Sequence, residues 1–187
     1  MDYLPLFHNL KGRNIMVVGG GEIALRKVRL VQEASAIITI VAKDFCPDLL
    51  EMDAADKKHG CNGLRLITAA YDHQHMLDIS NIVMVIAATN DRDLNRLVSE
   101  HAQSANILSN VVDDPGFSTV IFPSIVDRSP IQIAISSGGD APVLVRLLRT
   151  KFEALLPAGM SKLGALAGSF RERVKAKFSN GADRKAF

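Results

Sequence analysis

Short apolar runs alternating with helix-forming stretches predict an α/β chain: a doubly wound parallel sheet, then a small β segment and a C-terminal helical region. Three observations carry that expectation. The run Asn14-Ile-Met-Val-Val18 stops at Gly19-Gly20-Gly21 and gives way to a helix-forming stretch from Glu22 to Ala34. A second run, Ala36-Ile-Ile-Thr-Ile-Val-Ala42, is continuously apolar, as strands are when helices cover both faces of a sheet. After Asp113 the alternation stops, and two strand-like runs follow with no helix between them.

The remaining elements follow in order. Gly63 to Thr68, Ile82 to Thr89 and Ile107 to Val112 read as third, fourth and fifth strands. Between the last two, Asn90 or Asp91 can cap a helix through Leu94, Leu97, Val98 and His101. These elements make residues 1–113 one sheet domain. Asp114-Pro115-Gly116 is turn chemistry, and Ser118 to Phe122 and Ile131 to Ser136 are strand-like runs joined through Asp127-Arg-Ser-Pro130. A hairpin segment over 114–141, protruding from a sheet that is already complete, could pair with its copy in a second subunit as a dimerisation element. Residues 142–187 are expected to be helical. Asp140 can cap the first helix, Pro142 is tolerated in its first turn, and Leu144, Leu148, Phe152 and Leu155 share a face. Pro157 breaks that helix, and Leu163, Leu166, Phe170, Val174 and Phe178 mark the stripe of the next, opposite a basic face. The tail from Ser179 to Phe187 has little apolar content and is expected to fray.

Composition narrows the class. With 187 residues the chain can bury one main core plus an appendage. A hydrophobic fraction of 48% and a charged fraction of 22% suggest neither disorder nor a fibrous repeat. A net charge of +2 gives no argument for nucleic acid, although basic residues crowd the C-terminal part. Cys46 and Cys61, the only cysteines, form neither a disulfide framework nor a CxxC motif, which fits a reducing compartment. Met1 to Leu10 lacks a basic region followed by an apolar core, so no signal peptide is read. The apolar run Ile82 to Ala88 is far short of the roughly 20 residues that span a bilayer. A cytoplasmic chain without membrane or nucleic-acid partners is the expectation.

The chemistry-bearing motif is Gly19-Gly20-Gly21-Glu22-Ile23-Ala24, which matches the GxGxxA dinucleotide fingerprint in its required place between strand and helix. Gly19 permits the tight turn, Gly21 lets a pyrophosphate approach the backbone, and Ala24 lets the helix pack closely. Free amides at the helix N-terminus then receive the phosphate charge. The first domain is therefore read as Rossmann-like, with a merely structural glycine turn as the alternative. The ribose-binding acid should end the second strand, where Lys43-Asp44 stands: Asp44 is slightly late, and Lys43 could attract a cofactor phosphate, so NAD is favoured over NADP only weakly. A solvated loop pair is the other reading. Asp113 follows the fifth strand on the carboxyl edge where ligands sit in open α/β sheets, and could accept a proton; a cap or turn role is the alternative. Asp114 is read as shaping the turn. Ser136-Ser137-Gly138-Gly139 is either an anion-binding turn or a helix cap. His73 and His75, and His59 near Cys61, lack metal-ligand spacing and are read as surface loops, so metal ligands stay unknown.

Together these residues closely resemble the siroheme synthase N-terminal module family, bifunctional precorrin-2 dehydrogenases and sirohydrochlorin ferrochelatases. The resemblance runs through Leu4-Pro5-Leu6-Phe7, Val17-Val18-Gly19-Gly20-Gly21 with Ala24 and Arg26-Lys27, Ala87-Ala88-Thr89-Asn90-Asp91 and Asn110-Val111-Val112-Asp113. It continues through Phe122-Pro123-Ser124-Ile125, Asp127-Arg128-Ser129-Pro130, Ser136-Ser137-Gly138-Gly139, Pro142 and Arg146-Leu147-Leu148-Arg149. It implies a homodimer that uses NAD to oxidise precorrin-2 to sirohydrochlorin and then inserts ferrous iron to give siroheme. Asp113 falls on the family's catalytic aspartate. Glu22, Ile23, Lys43 and Asp44 fall on positions that contact NAD, with Gly19, Gly20, Gly21 and Thr89 completing the expected cofactor set. Ser137 falls in the substrate-pocket turn, with Gly138 beside it.

A tetrapyrrole fringed with acetates and propionates is a polyanion, and Arg128, Arg146, Arg149 and Lys151 lie around the implied pocket segments. Solvation of helix surfaces is the alternative for these charges. The chain has no methyltransferase domain of the kind fused in trifunctional enzymes, so methylation is expected elsewhere, or the chain is a fragment. A dehydrogenase lacking chelatase activity and a non-catalytic NAD-sensing dimeric domain are the competing functions.

Overall fold

The computed structural model describes residues 2–178, which divide into two compact units, one running to Ile121 and the other starting at Phe122. The first unit holds β1 (Asn14–Val18), α1 (Glu22–Glu33), β2 (Ile37–Ala42), α2 (Pro47–Lys58), β3 (Leu64–Thr68), α3 (His73–Leu77), β4 (Ile82–Ala87), α4 (Arg92–Ser104) and β5 (Leu108–Val111). All five strands are parallel, in the order β3-β2-β1-β4-β5. Strand order therefore reverses beside β1, with Val18 opposite Val41 on one side and Ala87 on the other. The cause is visible in the side chains. Ile15, Met16, Val17 and Val18 are all buried, so β1 presents apolar groups to both faces and must be covered on both. On α1, Ala24, Leu25, Val28 and Val31 are the buried stripe. On the other face Val98 and Ala102 of α4 join Met16, Val18, Val41 and Val85 in one core.

Two helices of this unit were not anticipated. α2 has Pro47 in its first turn and Lys57 and Lys58 in its last, yet buries only Leu49, so it lacks the apolar stripe that announces a helix. Histidines 73 and 75, expected in a loop, stand on α3 instead. Asp72 caps that helix by accepting from the Gln74 amide at 2.8 Å, and the His75 ring accepts from the Asp72 amide at 3.0 Å.

The strand expected over Ser118 to Phe122 is absent. A single 3-10 turn, Pro115–Phe117, is followed by chain that runs along β5 and is held there largely by side chains. The Thr119 amide donates to the Ser109 carbonyl at 2.8 Å, while the Thr119 and Ser118 hydroxyls accept from the Ser109 and Val111 amides at 2.8 and 2.9 Å. Hydroxyls thus take places that a strand's own carbonyls would fill, and the exposed edge of β5 is closed without a sixth strand.

The second unit begins with an antiparallel hairpin of β6 (Ser124–Arg128) and β7 (Ile131–Ile135), closed at Ser129-Pro130 by a cis peptide. Asp127 accepts from the Ser129 amide and hydroxyl at 2.7 and 2.8 Å. Hydrogen bonding from the Ser129 hydroxyl holds the Asp127 carboxyl below the ordinary aspartate value. α5 (Pro142–Leu155) and α6 (Met160–Lys177) complete the unit, with α5 against both strands and α6 against β7. The hairpin packs on both helices of its unit: Val126 is buried, Arg128 bonds the end of α5, and a side chain at Gly164 of α6 would overlap Pro130. Val143, Leu144, Leu147 and Leu155 of α5 and Leu163, Leu166 and Phe170 of α6 are nevertheless exposed. Phe178 ends the described chain, so the fraying expected for the tail lies outside the described residues. Among the described residues no helix is long and apolar enough to cross a membrane.

Candidate active site

The carboxyl ends of β1, β2, β4 and β5 form one edge of the first sheet, and the three glycines leave β1 at the point where strand order reverses. Each glycine meets a different constraint. Gly19 has φ +125°, and a side chain there would overlap the Ala88 carbonyl oxygen at the end of β4. A side chain at Gly20 would overlap the Asp44 carbonyl oxygen beyond β2, against which the turn is tied by the Cys46 amide donating to the Gly20 carbonyl at 2.8 Å. Gly21 is different: its φ is −90°, and an added Cβ would meet nothing within 4 Å. Gly21 is also the N-cap of α1, and no side chain caps that helix. The first-turn amides, from Glu22 and Ile23 onward, therefore open onto the free space beside Gly21, which fits a pyrophosphate. Lys43 and Asp44 are exposed on the β2 rim beside this turn.

Thr89 offers less to a ligand than its place suggests. Its hydroxyl lies 2.7 Å from Asn95 Oδ1 and accepts from the Asp91 amide at 3.1 Å; its backbone amide donates to Asn95 Oδ1 at 3.1 Å, and its carbonyl accepts from Asn95 Nδ2 at 2.9 Å. Every polar group of Thr89 is engaged within the chain. Asn95, which does the engaging, was not singled out in the sequence. Its only sequence signal is a polar residue one turn inside an amphipathic helix. Asp91 caps that helix, α4, accepting from the Leu94 amide at 3.0 Å.

Asp113 stands just past β5 on the same edge, exposed, with φ +59°. Non-glycine residues in the left-handed region cost on the order of 1–3 kcal/mol and persist where neighbours impose them. Here the neighbours are explicit. The Val112 amide donates to the Ala87 carbonyl at 3.0 Å, the Asp114 amide to Val111 at 3.3 Å, and the Ser118 hydroxyl lies 3.0 Å from the Asp114 carbonyl. Asp114 does more than shape the turn, since its carboxylate pairs with Arg92 of α4 at 2.9 Å. Lys27, half-buried on α1, is electrostatically coupled to Asp113. Burial pushes its ammonium below the usual lysine value while the Asp113 carboxylate works in the opposite direction.

In the second unit, Gly138 and Gly139 both have positive φ, +70° and +108°. They turn the chain so that the Ser137 hydroxyl accepts from the Ala141 amide at 3.0 Å, and the cap expected from Asp140 does not form. The arginines differ among themselves. Arg128 donates through Nε to the Leu156 carbonyl at 2.8 Å and through its terminal nitrogen to the Asp127 carbonyl at 2.8 Å, so much of its guanidinium closes the end of α5. Arg149 pairs with Glu153 at 2.9 Å. Arg146 is exposed.

Among the described residues, no group of three or more His, Cys, Asp or Glu side chains could hold a metal ion. Instead His73 stacks on His101 with ring centroids 4.1 Å apart, and the Tyr71 hydroxyl lies 3.1 Å from His101 Nδ1. Burial, helped by the Asp72 charge, raises the Tyr71 phenol to about 12.

The fold and the glycine turn define a Rossmann-like dinucleotide-binding domain joined to a β-hairpin and two helices. The family models that match are described as "Putative NAD(P)-binding" over residues 6–124, "Sirohaem biosynthesis protein central" over 128–155 and "Sirohaem synthase dimerisation region" over 159–187. Siroheme synthases of Stutzerimonas stutzeri and Pseudomonas entomophila are each 48% identical to the chain over 187 residues, all of this chain and 38% of theirs. Siroheme synthase 3 of Aeromonas hydrophila is 47% identical over 188 residues. The chain thus spans 38% of the length of these relatives. Among solved structures, one titled "SirC, precorrin-2 dehydrogenase" is similar in fold, with a TM-score of 0.77 at 22% identity, covering 98% of this chain and 86% of that one. The chain belongs to the siroheme synthase N-terminal module family.

Proposed function

We propose that the chain performs the NAD-dependent oxidation of precorrin-2 to sirohydrochlorin, and that the same site inserts ferrous iron to give siroheme. The observation that carries the reading is Asp113: an exposed carboxylate held in left-handed backbone on the strand edge that also bears the open glycine turn. Bound NAD supplies a hydride acceptor. The amides at the start of α1 would hold its pyrophosphate, the open space at Gly21 would admit it, and Lys43 and Asp44 would contact its ribose. When hydride leaves the substrate a proton must leave too, and the Asp113 carboxylate is the acceptor. Iron enters as substrate: the macrocycle's pyrrole nitrogens become its ligands and two N–H protons are released, the same carboxylate accepting one, passing it to solvent and then accepting the other. Arg146, with Arg128, Arg149 and the Ser137-Gly138 turn, supplies candidate contacts for the substrate's carboxylates.

The test is optical. Purified protein with precorrin-2 and NAD should generate NADH absorbance, and ferrous iron added afterwards should convert the sirohydrochlorin spectrum to that of siroheme. No NADH above the enzyme-free rate defeats the dehydrogenase reading. NADH without iron insertion leaves a dehydrogenase alone.

The family match over 159–187 and the exposed Leu163, Leu166 and Phe170 support a homodimer whose surface includes α6. Light scattering at micromolar concentration should return twice the chain mass, and Leu163→Glu with Leu166→Glu should halve it, since both side chains are already exposed. A monomeric mass for the unsubstituted chain would remove this assignment.

A further inference from the structure

We propose that Asn95 is a positioning residue for dinucleotide binding, its buried side-chain amide fixing the β4 rim against which the glycine turn rests. This inference rests on the dinucleotide reading above. Asn95 is 6% exposed and lies on α4, just inside the helix start at Arg92. Its Oδ1 accepts from the Thr89 amide at 3.1 Å, and its Nδ2 donates to the Thr89 carbonyl at 2.9 Å. A neighbouring strand satisfies a residue's amide and carbonyl in this paired way. Here β4 has ended at Ala87, and a helix side chain takes over the pairing two residues later.

The effect reaches the cofactor turn by direct contact. An added Cβ at Gly19 would overlap the Ala88 carbonyl and come within 3.2 Å of the Thr89 nitrogen, so Gly19 lies directly on the peptide between those residues. On the opposite side the Asp44 carbonyl backs Gly20. The turn is therefore held between two rims, and the buried Asn95 amide fixes the one on the β4 side. The sheet does not depend on it. Pairing of β1 with β4 runs from Asn14 to Val18 opposite Ala87, and one further backbone bond, from the Ala88 amide to the Val18 carbonyl at 2.8 Å, ties the start of the rim to β1 without Asn95. Loss of Asn95 should thus loosen the rim and leave the sheet intact, and a loosened rim must be ordered again when ligand binds, which weakens binding.

Asn95→Leu removes donor and acceptor at similar volume. Asn95→Asp keeps the acceptor facing the Thr89 amide but sets a second acceptor against the Thr89 carbonyl, and serves if the leucine variant fails to fold. In NAD titrations of the full chain, either folded variant should bind about tenfold more weakly, the size expected when a buried hydrogen-bonded pair is lost. The loss should appear in KM for NAD, with kcat at saturating NAD close to parental. Amide hydrogen exchange of the segment 19–23 in the unliganded protein should also accelerate. A purely structural role would lower Tm with no change in NAD affinity or in the KM-to-kcat split, and that result overturns the proposal. A fall in kcat with unchanged NAD affinity overturns it as well. Absence of NAD binding by the parental chain defeats the dinucleotide reading and this inference with it, whereas equal binding by parent and folded variant defeats the inference alone.

Discussion

Gly21→Asp is expected to abolish measurable NAD binding in a protein that still folds. The three glycines of the turn separate here into two kinds. Substituting Gly19 or Gly20 forces a side chain into the Ala88 or Asp44 carbonyl and so disturbs the first unit itself. Gly21 has ordinary extended backbone, φ −90° and ψ −175°, and open space where a Cβ would point. An aspartate there meets no steric obstacle in the unliganded protein. What it meets on binding is the ligand: its carboxylate occupies the space beside the uncapped α1 amides and places negative charge against a pyrophosphate. The same carboxylate can bond those amides as a capping residue, so Tm should hold or rise. Calorimetry should show affinity reduced by at least about a hundredfold, since charge repulsion adds to lost phosphate contacts. Unchanged affinity in the folded variant would show that the cofactor is not held by this turn. Gly21→Ala separates bulk from charge, and its defect should be smaller.

The parts of this architecture legible in the sequence are those where burial decides the pattern. β1, β2 and β4 are covered on both faces and read as predominantly apolar runs, and α1 announces itself by a glycine turn followed by a stripe of Ala24, Leu25, Val28 and Val31. The pattern fails where side chains act as backbone. Ser118 and Thr119 look like part of a strand because their neighbours are apolar, yet their hydroxyls take the hydrogen bonds a ladder would have used. α2 fails for the opposite reason, with too little apolar surface buried to leave a period.

The candidate site divides in the same way. Gly21 and Asp113 follow from position relative to a strand end, which a sequence shows. The roles of Thr89, Asn95 and Arg128 depend on how the folded chain turns each toward its partner: Asn95 back onto Thr89 six residues earlier, Arg128 onto the Leu156 carbonyl 28 residues away. No local spacing encodes those pairings.

Replacing Asp113 is expected to remove the chemistry while sparing the cofactor site, and the choice of replacement matters. At φ +59° an alanine is strained, whereas asparagine tolerates left-handed backbone and keeps the shape of the carboxylate without its basicity. Asp113→Ala should therefore lower Tm as well as rate, and Asp113→Asn should lower rate with little change in Tm. Loss of a positioned general base typically costs about 10²–10⁴-fold, and both variants should fall in that range for NADH formation from precorrin-2. NAD affinity should stay near parental in both, because the residue lies beyond β5 and the pyrophosphate site lies at the start of α1. Iron insertion into supplied sirohydrochlorin, assayed without NAD, should fall in parallel if one carboxylate accepts protons in both reactions. A stable Asp113→Asn protein with near-normal rates in both assays would reduce Asp113 to a turn residue whose strained backbone has no catalytic purpose. If dehydrogenation alone collapses, the shared carboxylate is ruled out, and the protons released by chelation must go to another group or directly to water.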